Sequence, residues 1–321
     1  MANIQTEILM GLKSLKFLLI EIRPVHWVKN LSLFAALVFT GNLFDPELFT
    51  KVFWAFWVFN LAASATYVFN DVLDKKLDRL HPIKKYRPIA AGQLPVSSGL
   101  ALATVLSLAS LYLASTMNSL FFFSVVAYLV LQAAYSLKLK NISVIDILII
   151  ASGFILRVYA GAFVINAHLS VWFLLCVISA ALFLASGKRR AELNVLEKTP
   201  GVTRKSLARY SVGLLNSYVT MFGNAAWMSW SLFTFFESPR ATLPVWLFLA
   251  EISRTTTINK LLMITIPIVI FGIMRYEILI FEGKSEAPEK LLLTDKWLVA
   301  SILSWIALVI WILYGGISIL I

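Results

Sequence analysis

Residues 70–92 read NDVLDKKLDRLHPIKKYRPIAAG and lie between two long apolar segments of the chain. Asp71, Asp74 and Asp78 are spaced i, i+3 and i+7, so a helix would carry all three carboxylates on one face. Like charges this close repel, and the arrangement is costly unless a cation joins them. Hard divalent ions such as Mg²⁺ take oxygen ligands, often one or two carboxylates together with substrate phosphates. The spacing therefore predicts a magnesium site at Asp71, Asp74 and Asp78.

Basic residues surround these acids. Six of them interleave with the aspartates or follow them: Lys75, Lys76, Arg79, Lys84, Lys85 and Arg87. His81-Pro82 and Arg87-Pro88 are expected to break the helix, so that the Lys84–Arg87 stretch can fold back over the acids. The alternative is a solvated turn in which the nearest bases simply neutralise the acids. Acids for a metal beside bases for phosphate favour an enzyme for a phosphorylated substrate.

The composition indicates that lipid surrounds most of the chain. Of 321 residues, 60% are hydrophobic and 14% are charged, and the mean hydropathy is +0.83. Soluble domains average about 45–50% apolar and about 25% charged residues. The net charge of +11 is interpreted first as charge on cytoplasmic loops and only second as a phosphate-binding surface. The basic residues are dispersed over loops, which disfavours nucleic acid as a partner, and the single Cys176 excludes an internal disulfide or a zinc cluster.

Nine apolar segments are each close to the roughly 20 residues that cross a bilayer. They are 25–43, 51–70, 96–116, 119–136, 143–165, 170–187, 212–236, 258–280 and 297–320. Backbone hydrogen bonding in lipid allows only helices or closed barrels, and these segments are too continuously apolar for barrel strands. We therefore expect an all-α integral membrane protein with nine transmembrane helices and a single domain over 1–321. The apolar piece at 243–250 is too short to span and is assigned to the interface.

The basic residues predict the orientation in the membrane. With the N-terminus in the cytoplasm, 23 of the 28 lysines and arginines fall on the cytoplasmic side, four fall outside and Arg157 falls within a span. The C-terminus would then lie outside. This distribution predicts a multi-pass protein of the cell's inner (plasma) membrane whose long loops at 70–95, 188–211 and 281–296 share the cytoplasmic face.

Further candidate residues lie on the same face or within the spans. Lys188, Arg189 and Arg190 follow the sixth span and can clamp phosphate, with Glu192 beside them to join a metal shell or orient a base. The alternative is an ordinary positive anchor at the inner end of a helix.

Tyr135 and Lys138 close the fourth span, where they either reach the same mouth or serve as an interfacial aromatic and a snorkelling lysine. Asp146 and Arg157 lie three turns apart on one face of the fifth span, and charges in spans are usually functional or paired. Lys29 closes the first span beside an aromatic belt residue.

The pattern Asn70-Asp71-x-x-Asp74-x-x-x-Asp78 after the second of nine apolar segments resembles the UbiA superfamily of intramembrane transferases. Within it the chain most resembles the decaprenyl-phosphate phosphoribosyltransferases. This likeness is carried by RPVHWVKN (23–30), HPIKKYRPIAAG (81–92), GKRRAEL (187–193) and the loop at 275–289. UbiA prenyltransferases typically carry a second Asp-rich motif between the sixth and seventh spans, where this chain has KRRAE (188–192). Base in place of acid suits a sugar diphosphate and a lipid phosphate better than an uncharged aromatic acceptor.

The resemblance implies a magnesium-dependent transfer of the 5-phosphoribosyl group from phosphoribosyl diphosphate to a polyprenyl phosphate, with release of diphosphate. The product class would feed cell-envelope (cell wall) precursors. Asp71, Asp74 and Asp78 are the expected catalytic and metal-binding residues. The expected substrate-binding residues are Lys29, Asn70, Lys84, Arg87, Tyr135, Lys138, Arg157, Lys188, Arg189 and Glu192. The alternatives are a UbiA-type prenyltransferase with an aromatic or lipid acceptor, and a transporter, which would place ionisable residues nearer the midplane. The oligomeric state is left open.

Overall fold

The chain folds into a helical bundle. The computed structural model describes residues 16–197, 206–237, 258–283 and 288–315. The helices in chain order are α1 (Phe34–Phe39), α2 (Pro46–Leu80), α3 (Val96–Ser115), α4 (Ser119–Leu137), α5 (Ile145–Val164), α6 (Val171–Glu197), α7 (Val212–Phe236), α8 (Ile266–Phe281), α9 (Pro288–Thr294) and α10 (Lys296–Tyr314). Two 3₁₀ segments, Pro24–Leu33 and Ile258–Thr265, run directly into α1 and α8. No strand occurs in these ranges, which confirms the all-α prediction for them.

Seven helices in the described ranges are long and apolar enough to cross a membrane, and they coincide with seven of the nine predicted spans. They are α2, α3, α4, α5, α6, α8 together with the end of its 3₁₀ segment, and α10. The predicted seventh span, α7, has the length at 25 residues, but polar residues such as Asn216 and Asn224 lower its hydropathy. The predicted first span is shorter than expected. Nine crossings and a cytoplasmic N-terminus stay predictions.

The predicted first span consists of Pro24–Phe39, which is 16 residues long. Its first ten residues are 3₁₀, which rises about 2.0 Å per residue instead of about 1.5 Å. The segment therefore covers roughly 29 Å, close to the roughly 30 Å of a hydrocarbon core. Trp27 Nε1 donates to Ser64 Oγ at 3.0 Å and Asn30 Nδ2 donates to Asn60 Oδ1 at 2.5 Å, so polar contacts fasten the segment along α2.

Helix α2 carries the three aspartates in its last turns. It begins with Pro46 after the N-cap Asp45, whose carboxylate accepts the backbone N–H groups of Glu47 and Leu48 at 2.9 Å. It ends at Leu80 because His81, which precedes Pro82, is extended with ψ 136°. This confirms the predicted helix break. At 35 residues α2 is about 50 Å long, well beyond the hydrocarbon thickness, so its aspartate end projects out of the apolar zone.

Two apolar clusters hold the bundle together. The first joins the Pro24–Leu33 segment, α2, α4 and α5 around Phe59 and Tyr128, whose ring centroids are 4.8 Å apart. The second joins α5, α6, α7 and α10 around Phe173 and Trp230. Helix α5 contributes to both clusters, so it connects the aspartate-bearing half of the bundle to the other half.

Some sequence predictions concern residues that lie outside the described ranges. They include the interfacial piece at 243–250 and the basic residues Lys13, Lys198, Arg204, Lys205, Arg240, Arg254 and Lys284. The single-domain assignment over 1–321 stays a prediction.

Gly161 on α5 allows a backbone-to-backbone approach. A Cβ at this position would lie 1.9 Å from the carbonyl oxygen of Leu33, which cannot move without displacing the 3₁₀ segment. We expect Gly161→Ala to lower the thermal unfolding midpoint in detergent, with a cost of about 3 kcal/mol or more as in severe overpacking.

Gly213 provides the matched control, since a Cβ there meets nothing within 4 Å. Gly213→Ala should leave the midpoint unchanged or raise it slightly, because alanine favours helix. An unchanged midpoint for Gly161→Ala would contradict the packing of α5 on the Pro24–Leu33 segment.

Candidate active site

The three aspartates on α2 are buried. Asp71, Asp74 and Asp78 are 1%, 5% and 4% exposed, and they share one helix face as their spacing predicts. A buried carboxylate is costly unless it is paired with a cation or hydrogen bonded. The surroundings of α2 must therefore supply positive charge, and they do so from three different parts of the chain.

Each aspartate forms an ion pair with a residue from elsewhere in the chain. Arg23, which precedes the first 3₁₀ segment, pairs with Asp71 Oδ2 through Nη2. Arg87 Nη1 lies 2.9 Å from Asp71 Oδ1 and 2.7 Å from Asp78 Oδ2, so one nitrogen bridges two carboxylates. Lys140 Nζ, from the connection between α4 and α5, lies 2.5 Å from Asp74 Oδ1. The aspartates are thus the meeting point of three segments.

The loop after α2 folds back as the sequence predicts. A short 3₁₀ turn at Lys84–Tyr86 leads into Arg87. The Arg79 guanidinium holds the segment that follows by donating to the Ala90 carbonyl at 2.9 Å. Gly92 has φ 78°, a conformation that glycine adopts without strain. These contacts place Arg87 over the acids. They bear out the predicted fold-back, in which Lys84 is half-buried and contributes positive charge near Asp78.

Glu21 is a fourth acid beside this group, and the sequence did not single it out. Its carboxylate accepts the backbone N–H of Ile89 at 2.9 Å and is 1% exposed. Burial, followed by the nearby charge of Asp71, raises the pKa of Glu21 to about 7. The Glu21 carboxyl therefore holds its proton to a higher pH than an exposed glutamate does.

The donor atoms at the end of α2 suit a hard cation that is shared with a substrate. In the described ranges no three His, Cys, Asp or Glu side chains form a group that could enclose a metal by themselves. Asn70 Oδ1, however, is a buried oxygen without a hydrogen-bond partner, and Asn70 lies one helical turn before Asp74. Magnesium is commonly held by one or two carboxylates plus substrate phosphates. Carboxylate oxygens with an unused amide oxygen beside them fit that mode.

Arg189 differs from its predicted role as a phosphate clamp. Its guanidinium is 0% exposed, lies 3.0 Å from Asp146 Oδ2 through Nε, donates to the Tyr135 hydroxyl at 2.7 Å and pairs with Glu192. These contacts join the end of α4, the start of α5 and the last turns of α6. Arg189, Tyr135 and Glu192 are therefore committed to one another in this conformation, because a buried guanidinium needs all of these partners.

The bases that flank Arg189 differ in exposure. Arg190 is 6% exposed and donates to Asn216 Oδ1 at 2.6 Å, which links α6 to α7. Lys188 is half-buried, and Lys138 at the end of α4 is exposed. Of the three consecutive bases, Lys188 alone keeps appreciable exposure. Phosphate binding by these bases stays a prediction.

Arg157 and Asp146 share α5 but have separate partners. Arg157 donates to Asn30 Oδ1 at 2.6 Å, to the Gly153 carbonyl at 2.6 Å and to the Tyr128 hydroxyl at 2.9 Å, and its guanidinium lies 4.9 Å from the Tyr128 ring centroid. It is 4% exposed in the core, about 16 Å along the helix from Asp146. These contacts fasten the Pro24–Leu33 segment to α5. Lys29, which precedes Asn30, is half-buried.

Several residues of the site escaped the sequence reasoning. Arg23 lies in the stretch RPVHWVKN (23–30) and Lys140 follows the fourth predicted span, but no local spacing predicts the partner of either residue. Tyr210 had no local signal, yet its hydroxyl donates to Asp146 Oδ1 at 2.8 Å, and burial raises its pKa. These assignments depend on contacts between residues 48 to 66 positions apart, which no local spacing rule detects.

Comparison with known proteins gives a consistent picture. The model of the UbiA prenyltransferase family matches residues 31–251. The decaprenyl-phosphate phosphoribosyltransferase of Mycolicibacterium smegmatis is 36% identical over 89% of this chain and 88% of its own length. The enzyme of the same name from Corynebacterium glutamicum is 35% identical over 91% of this chain and 85% of its own.

Among solved structures, a UbiA homologue from Archaeoglobus fulgidus bound to GPP and Mg²⁺ superposes with a TM-score of 0.68 at 15% identity, over 94% of this chain and 100% of the other. At that identity the likeness concerns the fold alone.

The contrast between Arg189 and Lys188 makes a testable pair. Arg189→Met should strongly lower the thermal unfolding midpoint in detergent, because removing one partner leaves Asp146 buried and unpaired, at a cost of about 3–5 kcal/mol. Lys188→Met should leave the midpoint nearly unchanged. A similar midpoint for both variants would contradict the structural role of Arg189.

Proposed function

The chain belongs to the UbiA prenyltransferase family, and from that premise we propose that it transfers the 5-phosphoribosyl group of phosphoribosyl diphosphate to a polyprenyl phosphate, releasing diphosphate. The observation that carries this proposal is its identity of 35–36%, over about nine-tenths of the chain, with enzymes named decaprenyl-phosphate phosphoribosyltransferase. The buried cluster of acids and bases at the end of α2 supports it, since both reactants bear phosphate.

Asp71, Asp74 and Asp78, with the amide oxygen of Asn70, would hold Mg²⁺. When bound, this ion supplies Lewis-acid stabilisation of the negative charge on the leaving diphosphate. The A. fulgidus homologue, whose structure contains Mg²⁺ with a prenyl diphosphate, supports a divalent cation in a fold of this kind. The role of the protein is to place these carboxylates, which Arg23, Arg87 and Lys140 hold in position before substrate arrives.

The bases at the site would bind phosphate. Arg87, Arg23 and Lys140 form ion pairs with the aspartates. Lys84, in the loop after α2, and Lys188, near the end of α6, are half-buried. Arginine matches phosphate with two parallel hydrogen bonds, whereas lysine acts as a point charge. Neutralising the phosphates lets two anionic reactants approach, and holding them in line lowers the entropic cost of the reaction.

The transfer itself needs no general base from the protein. The acceptor is a phosphate monoester, which is already anionic near neutral pH and attacks the anomeric carbon of ribose as the bond to diphosphate breaks. One C–O bond forms and one breaks, and the leaving pair of electrons stays on diphosphate. Attack from the face opposite the leaving group inverts this carbon. Preorganised positive charge around the diphosphate stabilises the transition state.

The placement in the membrane follows from the same residues. We assign the aspartate end of α2 to the cytoplasmic face of the plasma membrane, with nine crossings and the polyprenyl tail in a groove that opens laterally to lipid. The excess of basic residues in the loops at this end supports the assignment. The water-soluble donor would then reach the site from the cytoplasm while the acceptor stays in the bilayer.

Asp74→Asn tests the catalytic role of the aspartates. We expect turnover to fall by about a hundredfold or more, because the variant loses a charged oxygen where positive charge must be held. Asp74→Asn also leaves Lys140 buried without its partner, so the unfolding midpoint in detergent should be measured alongside. The double variant Asp74→Asn/Lys140→Met removes both charges and should recover stability without recovering turnover. Recovery of turnover in that double variant would show that Asp74 is only a structural partner.

The substrate proposal needs a direct assay. Purified protein with Mg²⁺, labelled phosphoribosyl diphosphate and a polyprenyl phosphate should form a labelled lipid, and removal of Mg²⁺ with EDTA should abolish it. A prenyl diphosphate with 4-hydroxybenzoate is the competing reaction. A prenylated aromatic product, with no labelled lipid, would replace the proposal by the prenyltransferase alternative.

A further inference from the structure

The connection between α4 and α5 carries Lys140, the partner of Asp74, and its backbone is strained. Val144 has φ 69° and ψ −48°. These values lie near the classic γ-turn, which is rare and strained, and a β-branched residue at positive φ is an outlier. Such a conformation persists only where the surrounding structure holds it. Lys140 lies four positions before Val144, so the residues that hold Val144 in this conformation also determine where Lys140 lies.

The contacts that hold this connection come from the end of the loop between α6 and α7. Ser206 Oγ donates to the Lys140 carbonyl at 2.8 Å. The N–H of Val144 donates to the Tyr210 hydroxyl at 2.5 Å, and that hydroxyl donates to Asp146 Oδ1 at 2.8 Å. Ser206 is 0% exposed and Tyr210 is 7% exposed. Two buried side chains therefore fix the backbone on both sides of the strained residue.

Tyr210 is itself anchored to a rigid part of the bundle. Asp146, which accepts its hydroxyl, lies 3.0 Å from the Arg189 guanidinium through its other oxygen, and Arg189 donates to Tyr135 on α4. Because Asp146, Arg189 and Tyr210 are buried, Tyr210 cannot shift without breaking several polar contacts. A continuous chain of contacts thus runs from the Arg189 cluster through Tyr210 to the connection that carries Lys140.

We propose that Tyr210, supported by Ser206, is a positioning residue for donor binding. It holds Lys140 against Asp74 and so presents the lysine ammonium to the diphosphate of the incoming donor. Tyr210 acts through Lys140 and not on the substrate. The inference rests on the proposed function, because it takes the donor to be a sugar diphosphate. It gives the connection between α6 and α7 a role in placing Lys140.

A double-mutant cycle tests this coupling. The dissociation constant of phosphoribosyl diphosphate with Mg²⁺, in the absence of acceptor, is measured by calorimetry in detergent for the wild type, Tyr210→Phe, Lys140→Met and the double variant. Tyr210→Phe should weaken binding about tenfold, because it removes the acceptor of the Val144 N–H and one of the two donors to Asp146 Oδ1, the other being the Ile147 N–H. The double variant should bind no more weakly than Lys140→Met, within about a factor of two. Losses that multiply, or no loss for Tyr210→Phe, would overturn the proposal.

Two further variants keep the result interpretable. Tyr210 belongs to an apolar cluster formed by α5, α6 and the start of α7, and Tyr218 packs against the same cluster. Tyr218→Phe makes the same chemical change there and should leave the dissociation constant unchanged. Ser206→Ala removes the contact to the Lys140 carbonyl without touching Tyr210. The effect of Ser206→Ala on the dissociation constant should also vanish in the Lys140→Met background. This variant tests the positioning role if Tyr210→Phe does not fold. A wild type that neither binds the donor nor forms labelled lipid would refute the proposed function, whereas binding with multiplicative losses refutes only the positioning role.

Discussion

Burial of three carboxylates in the last turns of one helix is the constraint around which the rest of the site is arranged. Asp71, Asp74 and Asp78 would repel one another and lose hydration there, so positive charge has to come to them. It comes from Arg23 before the first span, Arg87 in the loop after α2 and Lys140 in the connection between α4 and α5. Three segments far apart in sequence are therefore drawn to one end of α2.

The aspartate half of the site could be predicted largely from the sequence. Apolar runs about 20 residues long identify spans, and spacings of three, four and seven identify one helix face, because both depend only on helix geometry. The proline after His81 likewise predicts where α2 ends. The partners of the aspartates could not be predicted in this way. Charge alone predicts that Lys140 lies on the cytoplasmic side, but its pairing with Asp74 depends on how α4 and α5 pack against α2.

The three consecutive bases near the end of α6 show where reasoning from local sequence fails. Three consecutive bases after a span fit a phosphate-binding site as well as they fit a structural anchor. Only the burial of each side chain distinguishes the two roles. Consecutive positions on a helix point about 100° apart, so Lys188, Arg189 and Arg190 cannot all face one ligand. Arg189 faces Asp146, Arg190 faces Asn216, and Lys188 stays half-buried at the surface. In this conformation the bases at this position supply one partly exposed lysine and one buried ion pair between helices.

Charge balance explains how such a site can accept a substrate. Without ligands, Arg23, Arg87 and Lys140 pair with the three aspartates, and these ion pairs offset the cost of burying the carboxylates. A diphosphate alone would compete with the aspartates for the bases and leave the acids unpaired, and a divalent cation alone would leave the bases unpaired. Bound together, the cation satisfies the carboxylates while the phosphates satisfy the arginines and the lysine. The two partners thus compensate each other, which favours a donor that arrives with its metal over either component by itself.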